Sequence, residues 1–217
     1  MGVDRHINFF ELEKAAAKPG CPLCRIIAGR VERYMDNLLF EHISDRAFRA
    51  AYRIAGGFCA CHSRRLESFR DGLAVAILGR DVLEDRIEAF TTGKFRKPKA
   101  PCPVCVEQDR IEGEYLSFLA GSGGDGQNEA DLRAAFTASE GLCAPHYDRL
   151  RRSARTVPGW IVRFQEERFR ELLARTERFI ELSAYGRQEE FSRLEEKDQV
   201  VWKELAAALR GTPGPSG

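Results

Sequence analysis

The segment Cys21-Pro22-Leu23-Cys24 returns as Cys102-Pro103-Val104-Cys105, and Gly57-Phe58-Cys59 with His62 returns as Gly141-Leu142-Cys143 with His146. Chance agreement of two C-x-x-C and two C-x-x-H sets inside an aligned repeat is improbable, and their spacing points to metal ligation. The register of the repeat extends past the motifs. Tyr34 and Tyr115 lie ten residues beyond Cys24 and Cys105. Phe48 to His62 (FRAAYRIAGGFCACH) aligns without gaps on Leu132 to His146 (LRAAFTASEGLCAPH), and Leu66 and Leu150 follow each histidine at the same distance. The first motif recurs after 81 residues and the second after 84, so the second copy carries a three-residue insertion, which the glycine-rich stretch Gly121 to Gly126 accommodates.

The chain contains seven cysteines. Their odd number, and the absence of a charged-then-apolar leader at the N-terminus, argue against a disulfide framework. The longest apolar run, around Leu73 to Leu78, is too short to span a bilayer. The expectation is therefore a cytoplasmic protein with no membrane partner. Lys plus Arg number 34 against 33 for Asp plus Glu, so no global field drives the chain onto nucleic acid. Arg64 and Arg65 after the first C-x-x-H, and Arg149, Arg151, Arg152 and Arg155 after the second, leave nucleic acid as a lesser alternative to ordinary solvated surface.

Helical spacing dominates. Leu23, Ile27, Val31, Tyr34 and Leu38 step by three and four, which predicts a helix with one apolar face. Ser44 reads as an N-cap for a second helix ending near Gly56. From Asp71 to Phe90 a wide stripe of Val75, Leu78, Val82, Leu83, Ile87 and Phe90 predicts a helix well covered by neighbours. Residues 93 to 101, rich in Lys and Pro, read as a linker. Trp160 to Ser183 predicts a long amphipathic helix with Val162, Phe169, Leu172, Leu173, Phe179 and Ile180 as its seam and Glu166/Arg170 and Glu171/Arg175 paired outside. A further helix is expected from about Glu189 to Leu209, its acidic pairs Glu189/Glu190 and Glu195/Glu196 forming a solvated face. The tail from 211 to 217 reads as disordered. No segment alternates with period two for long enough to form a strand.

Structural zinc takes four N or S ligands at tetrahedral corners. Each copy offers such a set: Cys21, Cys24, Cys59 and His62 in the first, Cys102, Cys105, Cys143 and His146 in the second. Pro22 presets a tight turn that points two thiolates at one spot, Cys59 and His62 share a face of a helix's first turn, and Gly57 lets the backbone turn into the site. Pairing within each copy is the simpler arrangement; a swapped arrangement uses the same residues. Cys61, which aligns on Pro145, points away from the metal and is read as apolar filler, with a reactive or substitute ligand as the alternative. Thioredoxin-like redox chemistry lacks its βαβ context, and haem attachment lacks the C-x-x-C-H run. An iron–sulfur site is a minority reading. Four ligands per site leave no open position for catalysis. His6 and His42 read as surface or satisfied core residues, and there is no phosphate loop or nucleophile elbow.

With these motifs the chain resembles a bacterial and archaeal family of unknown function marked by duplicated CPxC…GxCxxH motifs. The resemblance covers most of the chain and implies no activity. The sequence reading is thus an all-α protein with two pseudo-repeated zinc-stapled helical modules, residues 1–92 and 93–157. These pack with a long C-terminal helical hairpin, 158–210. Two zinc ions per chain hold it together. The expected role is a non-enzymatic interaction or adaptor protein whose partner is another protein. A thiol-based sensor or handler of metal or redox state is the alternative.

Overall fold

A computed structural model describes residues 7–95 and 97–211. His6 and residues 212–217 of the expected disordered tail lie outside the described residues. Every regular element among the described residues is helical: α1 (Ile7–Ala16), α2 (Pro22–Asn37) with a π-helical turn (Leu38–His42), α3 (Arg46–Ile54), α4 (Ala60–Ser68), α5 (Gly72–Thr92) and α6 (Pro103–Ala120). There follow α7 (Gln127–Thr137), α8 (Ala144–Ser153), α9 (Gly159–Leu182), α10 (Gln188–Ser192), α11 (Glu196–Gln199) and α12 (Val201–Arg210). The all-α expectation is met.

The chain forms two compact units. One is built from Ile27–Glu112, and the other from residues within Met1–Ile26 and Gly113–Gly214, so the unit boundaries fall inside α2 and α6.

In the continuous unit, Val31, Met35, Leu38, Tyr52, Leu66, Leu78, Val104 and Ile111 are buried. The ring of Tyr52 meets Phe58 edge-on, with centroids 4.9 Å apart. Asp45, not Ser44, caps α3, accepting the Phe48 amide at 2.8 Å. Packing of α3 on α5 is fixed by two Arg–Asp pairs, one turn apart on both helices. Arg49 reaches the carboxylate of Asp81 with both Nε and Nη2 at 2.6 and 2.5 Å, and Arg53 grips Asp85 in the same way. Only half of the stripe expected on α5 is covered. Leu78 is buried and Val75 and Val82 are half-buried, whereas Leu83, Ile87 and Phe90 stay exposed, because the face of α5 bearing Asp81 is the one turned toward α3.

In the discontinuous unit, Leu12, Leu23, Tyr115, Leu119, Phe136, Leu142, Leu150 and Ile161 form the core. Phe136 is its centre, meeting Trp160 and Phe164 edge-on at 5.7 Å each. The Trp160 indole donates to the Ser122 carbonyl at 2.9 Å. Helix α1 packs on α7, and α10, α11 and α12 pack on α9, with α12 also touching α8.

The expected seam of α9 is only partly right. Its buried positions are Ile161, Gln165, Leu172 and Leu182, while Leu173 and Ile180 are exposed. Glu166 pairs with Arg170 at 2.6 Å as expected. Arg175 instead turns toward Asp198 and Glu204, at 2.6 and 2.7 Å, and Glu171 takes Arg168. The single helix expected from Glu189 to Leu209 is three short ones, though the span holds no Gly or Pro. The breaks follow from packing: Leu194 is buried, its carbonyl accepts from the Gln199 side chain at 2.9 Å, and the chain bends to stay on α9 and reach α8.

Candidate metal centres

All four Cys/His pairs sit at the same place in a helix. Cys21 and Cys24 bracket the first turn of α2, with proline as its first residue, and Cys102 and Cys105 do so for α6. Cys59 is the N-cap of α4 and Cys143 of α8, both in extended conformation, with His62 and His146 one turn on. The C-P-x-C pair therefore opens a helix, where a tight turn was expected. The i, i+3 spacing projects both ligands of each pair from one face of the first turn. Gly57 and Gly141 enter the C-x-x-H helices at φ of +95° and +77°, where only glycine is unstrained.

The structure gathers these pairs across the two copies. Cys21 and Cys24 meet Cys143 and His146, and Cys102 and Cys105 meet Cys59 and His62; within each group all ligand atoms lie within 4.8 Å of one another. This corrects the simpler within-copy pairing in favour of the swapped one. The reason lies in packing: the start of α2 belongs to the same compact unit as α8, and the start of α6 to that of α4.

In the first group the Cys21, Cys24 and Cys143 sulfurs stand 3.4, 3.4 and 3.1 Å from His146 Nδ1, and Cys24 lies 3.7 Å from Cys143. In the second, Cys59, Cys102 and Cys105 stand 3.2, 3.6 and 3.4 Å from His62 Nδ1, and Cys59 lies 3.7 Å from Cys105. A tetrahedron with metal–sulfur bonds of ~2.3 Å and metal–nitrogen bonds of ~2.0 Å has S···S edges of about 3.8 Å and S···N edges of about 3.5 Å. The two groups approach those dimensions. Both histidines turn Nδ1 inward, and Gln108 hydrogen-bonds the His62 ring.

Within each group the thiols are pushed in opposite directions. Burial alone pushes the Cys21 thiol up, but hydrogen bonds from Cys143, Cys24 and His146 outweigh it and hold its pKa well below the ordinary value. Hydrogen bonds with Cys143 and Cys21 and its own burial push Cys24 up. The second group repeats the split. Cys59 is lowered because the His62 and Cys61 amides and Cys105 outweigh burial, and burial with the Cys59 contact raises Cys105 to about 12. Against its own desolvation, His146 is raised to about 10 by the Cys143 and Cys21 sulfurs, whereas burial lowers His62. Crowded thiols without a counter-ion resist sharing negative charge. A bound divalent cation reverses that balance and deprotonates its thiol ligands. Three thiolates, a neutral imidazole and a divalent ion sum to one negative charge. Two helix N-termini, each worth roughly half a positive charge, face that sum.

Several supporting residues carried no motif. Gln165 on α9 is fully buried and grips Leu142, accepting its amide at 2.9 Å and donating to its carbonyl at 2.8 Å, which fixes the backbone just before Cys143. The Glu140 carboxylate accepts the Gly20 amide at 2.8 Å and ties together the approaches to Cys21 and Cys143. Gly211, at the end of α12, lies over the first group so closely that a Cβ would stand 3.2 Å from the Cys24 sulfur. A buried glutamine within the apolar face of α9 was the one sequence signal among these. Cys61 belongs to neither group, as expected, but it is exposed and so is no core filler. His42 is exposed beside Glu41.

Fold and site together define the class: an all-helical protein with two clusters of three cysteines and one histidine, each built on paired helix N-termini. Over 100 residues the chain is 31% identical to an uncharacterised 23.9 kDa protein in the xynA 3′ region of Caldicellulosiruptor sp. (strain Rt8B.4). The match covers 44% of this chain and 49% of that protein, so the chain spans about half the length of the curated relative it matches. No family profile and no solved structure matches. No helix among the described residues is long and apolar enough to cross a membrane.

Proposed function

We propose that the chain holds two structural zinc ions and serves as a non-enzymatic interaction or adaptor protein. Cys21, Cys24, Cys143 and His146 hold one ion, and Cys59, His62, Cys102 and Cys105 the other. The observation that carries the reading is the near-tetrahedral spacing of two independent sets of sulfur and nitrogen atoms. Thiolate and imidazole donors without a carboxylate suit zinc and not calcium or magnesium, which take oxygen ligands. Four protein ligands close each site, so the ion would fix the angle between two helices and offer no position to a substrate. In this reading segments 1–92 and 93–157 are the two copies of a duplicated sequence, each lending half of each site. A reducing compartment, the cytoplasm, suits seven unpaired thiols.

The test is metal analysis of the purified full chain. Two zinc ions per chain, and a loss of helicity or a fall in melting temperature on chelation, are the expected results. Metal-free protein whose melting is indifferent to chelators would sink the proposal. The thiol-sensor reading has one supporting observation, the partial exposure of Cys59 and Cys105 where Cys21, Cys24 and Cys143 are buried. Rapid oxidation of the second site with zinc release, at a peroxide dose that leaves the first intact, would favour it.

A further inference from the structure

Apolar residues of α9 that the fold leaves uncovered converge on a groove beside α8. Its volume is about 520 Å³, and its walls include Tyr147 and Arg151 from α8 and Val162, Phe169 and Leu173 from α9. Both helices belong to the discontinuous unit. Val162, Phe169 and Leu173 are seven and four residues apart, so they line one face of α9, and Ile180, seven further on, prolongs the stripe. Leu173 is 56% exposed and Ile180 64%, although both fall within the helical period of a covered seam. The stripe is long enough for a partner helix: eighteen residues at 1.5 Å each give about 27 Å.

Charge selects the partner. Arg170, on the rim, is neutralised by Glu166 at 2.6 Å. Arg151 lines the same groove, is exposed, and has no ion-pair partner among the described residues. From 148 to 155 the chain carries four arginines against one aspartate. The Tyr147 hydroxyl likewise has no hydrogen-bond partner among the described residues. An unpaired guanidinium over an apolar floor complements a carboxylate on an apolar helix face.

Single-stranded nucleic acid calls for stacking surfaces along a continuous basic track, and here the carboxylate of Glu166 interrupts the arginines that line the groove. An anionic membrane calls for a uniformly basic face, whereas α9 carries Glu166, Glu167, Glu171, Glu177 and Glu181 among its arginines.

We propose that the groove between α8 and α9 receives an acidic amphipathic helix of a partner protein, its aliphatic side chains against Val162, Phe169 and Leu173 and a carboxylate on Arg151. This rests on the adaptor part of the function proposed above and is independent of the identity of the metal.

The experiment uses the full metal-loaded chain. The probes are an 18-residue amphipathic helical peptide with leucines on one face and glutamates elsewhere, its glutamate-to-lysine counterpart, a single-stranded oligothymidylate, and phosphatidylserine vesicles. The acidic peptide should bind at least tenfold more tightly than the lysine peptide. Leu173→Glu and Arg151→Glu should each weaken it tenfold or more, with circular dichroism and metal content unchanged. Ile87→Glu on α5 should leave it unaffected. Binding of the acidic peptide that ignores Leu173→Glu and Arg151→Glu overturns the assignment. So does preferential binding of the oligonucleotide or the vesicles. If Ile87→Glu abolishes peptide binding instead, the groove is the wrong surface while the adaptor reading stands. If no probe binds, the groove proposal falls, and the metal content separately decides the zinc reading.

Discussion

Gly141 and Cys61 show how much a single position carries at these centres. A Cβ on Gly141 would meet the Gln165 side-chain oxygen Oε1 at 3.0 Å, and its φ of +77° is strained for any other residue. Gly141→Ala should cost about 1–2 kcal/mol from the left-handed backbone alone and more from the contact, read as a lower denaturation midpoint. On the aligned Gly57 a Cβ would meet the Tyr52 hydroxyl at 3.4 Å and Val82 at 3.6 Å, both looser contacts, so Gly57→Ala should cost less than Gly141→Ala. Cys61→Ser changes an exposed thiol outside both groups and should keep full metal content, with stability within about 0.5 kcal/mol of the parent. Cys59→Ser should lose one ion. Retention by Cys59→Ser together with loss by Cys61→Ser would show that the second centre is assembled from the wrong cysteine. The ligand types and glycines were legible from the repeat. Exposure of Cys61 was not, because helix register fixes its direction but not what stands opposite.

At the scale of elements, the helices that carry ligands were easier to read than the surfaces they bury. The start of α2 is marked by C-P-x-C and its face by a regular apolar step. For α5 and α9 the same periodicity names more apolar residues than the fold covers, since a helix with a broad stripe does not say which half a neighbour will take. Two polar residues decide it: Asp81 on α5, buried against Arg49, and Gln165 on α9, buried against Leu142. Gln165→Leu should strand two buried backbone groups at about 1–3 kcal/mol each and loosen metal at the first centre more than at the second. Competition with a chromophoric chelator checks the difference. The Arg49 side chain, through its hydrogen bonds, holds the Asp81 carboxyl below its ordinary pKa. A depressed folded pKa means that this stability is present above the unfolded value of about 3.9 and is lost as pH falls through the lower folded value. The gap between the parent and Asp81→Asn in denaturant midpoint should therefore be full at pH 6 and shrink below about pH 4. A gap that widens on acidification would contradict the ion-pair account.

For the whole molecule the consequence of swapped pairing is nesting. The second group joins residues 40 to 46 apart in sequence, and it lies between the halves of the first, which joins residues 119 to 125 apart. Closing a loop three times longer removes about 1 kcal/mol more chain entropy, so the first ion should contribute more to stability per site. Pairing itself is testable by double-mutant cycles in melting temperature and metal content. Cys21→Ser with Cys143→Ser should cost little beyond either alone, because one ion is already gone. Cys21→Ser with Cys59→Ser should be nearly additive and should remove both ions. The reverse pattern would restore pairing within each copy. Acidification should release metal from both centres as thiolates and imidazoles take protons.

The sequence by itself determined the helical class, the eight cysteine and histidine positions that cluster, and the helix-opening glycines, because these rest on local periodicity, spacing and backbone conformation. Only the tertiary structure decided which pair meets which, since two identical half-sites per motif are equivalent to any local argument. It also decided where the C-terminal segment breaks. Residues 188 to 210 contain no Gly or Pro, and a straight helix would satisfy their propensities. The chain instead divides into α10, α11 and α12, burying Leu194 and Val201 while Asp198 and Glu204 meet Arg175. Burial and ion pairing with a distant helix outweigh the backbone hydrogen bonds lost at two breaks, and that balance is set by a neighbour the local sequence does not name.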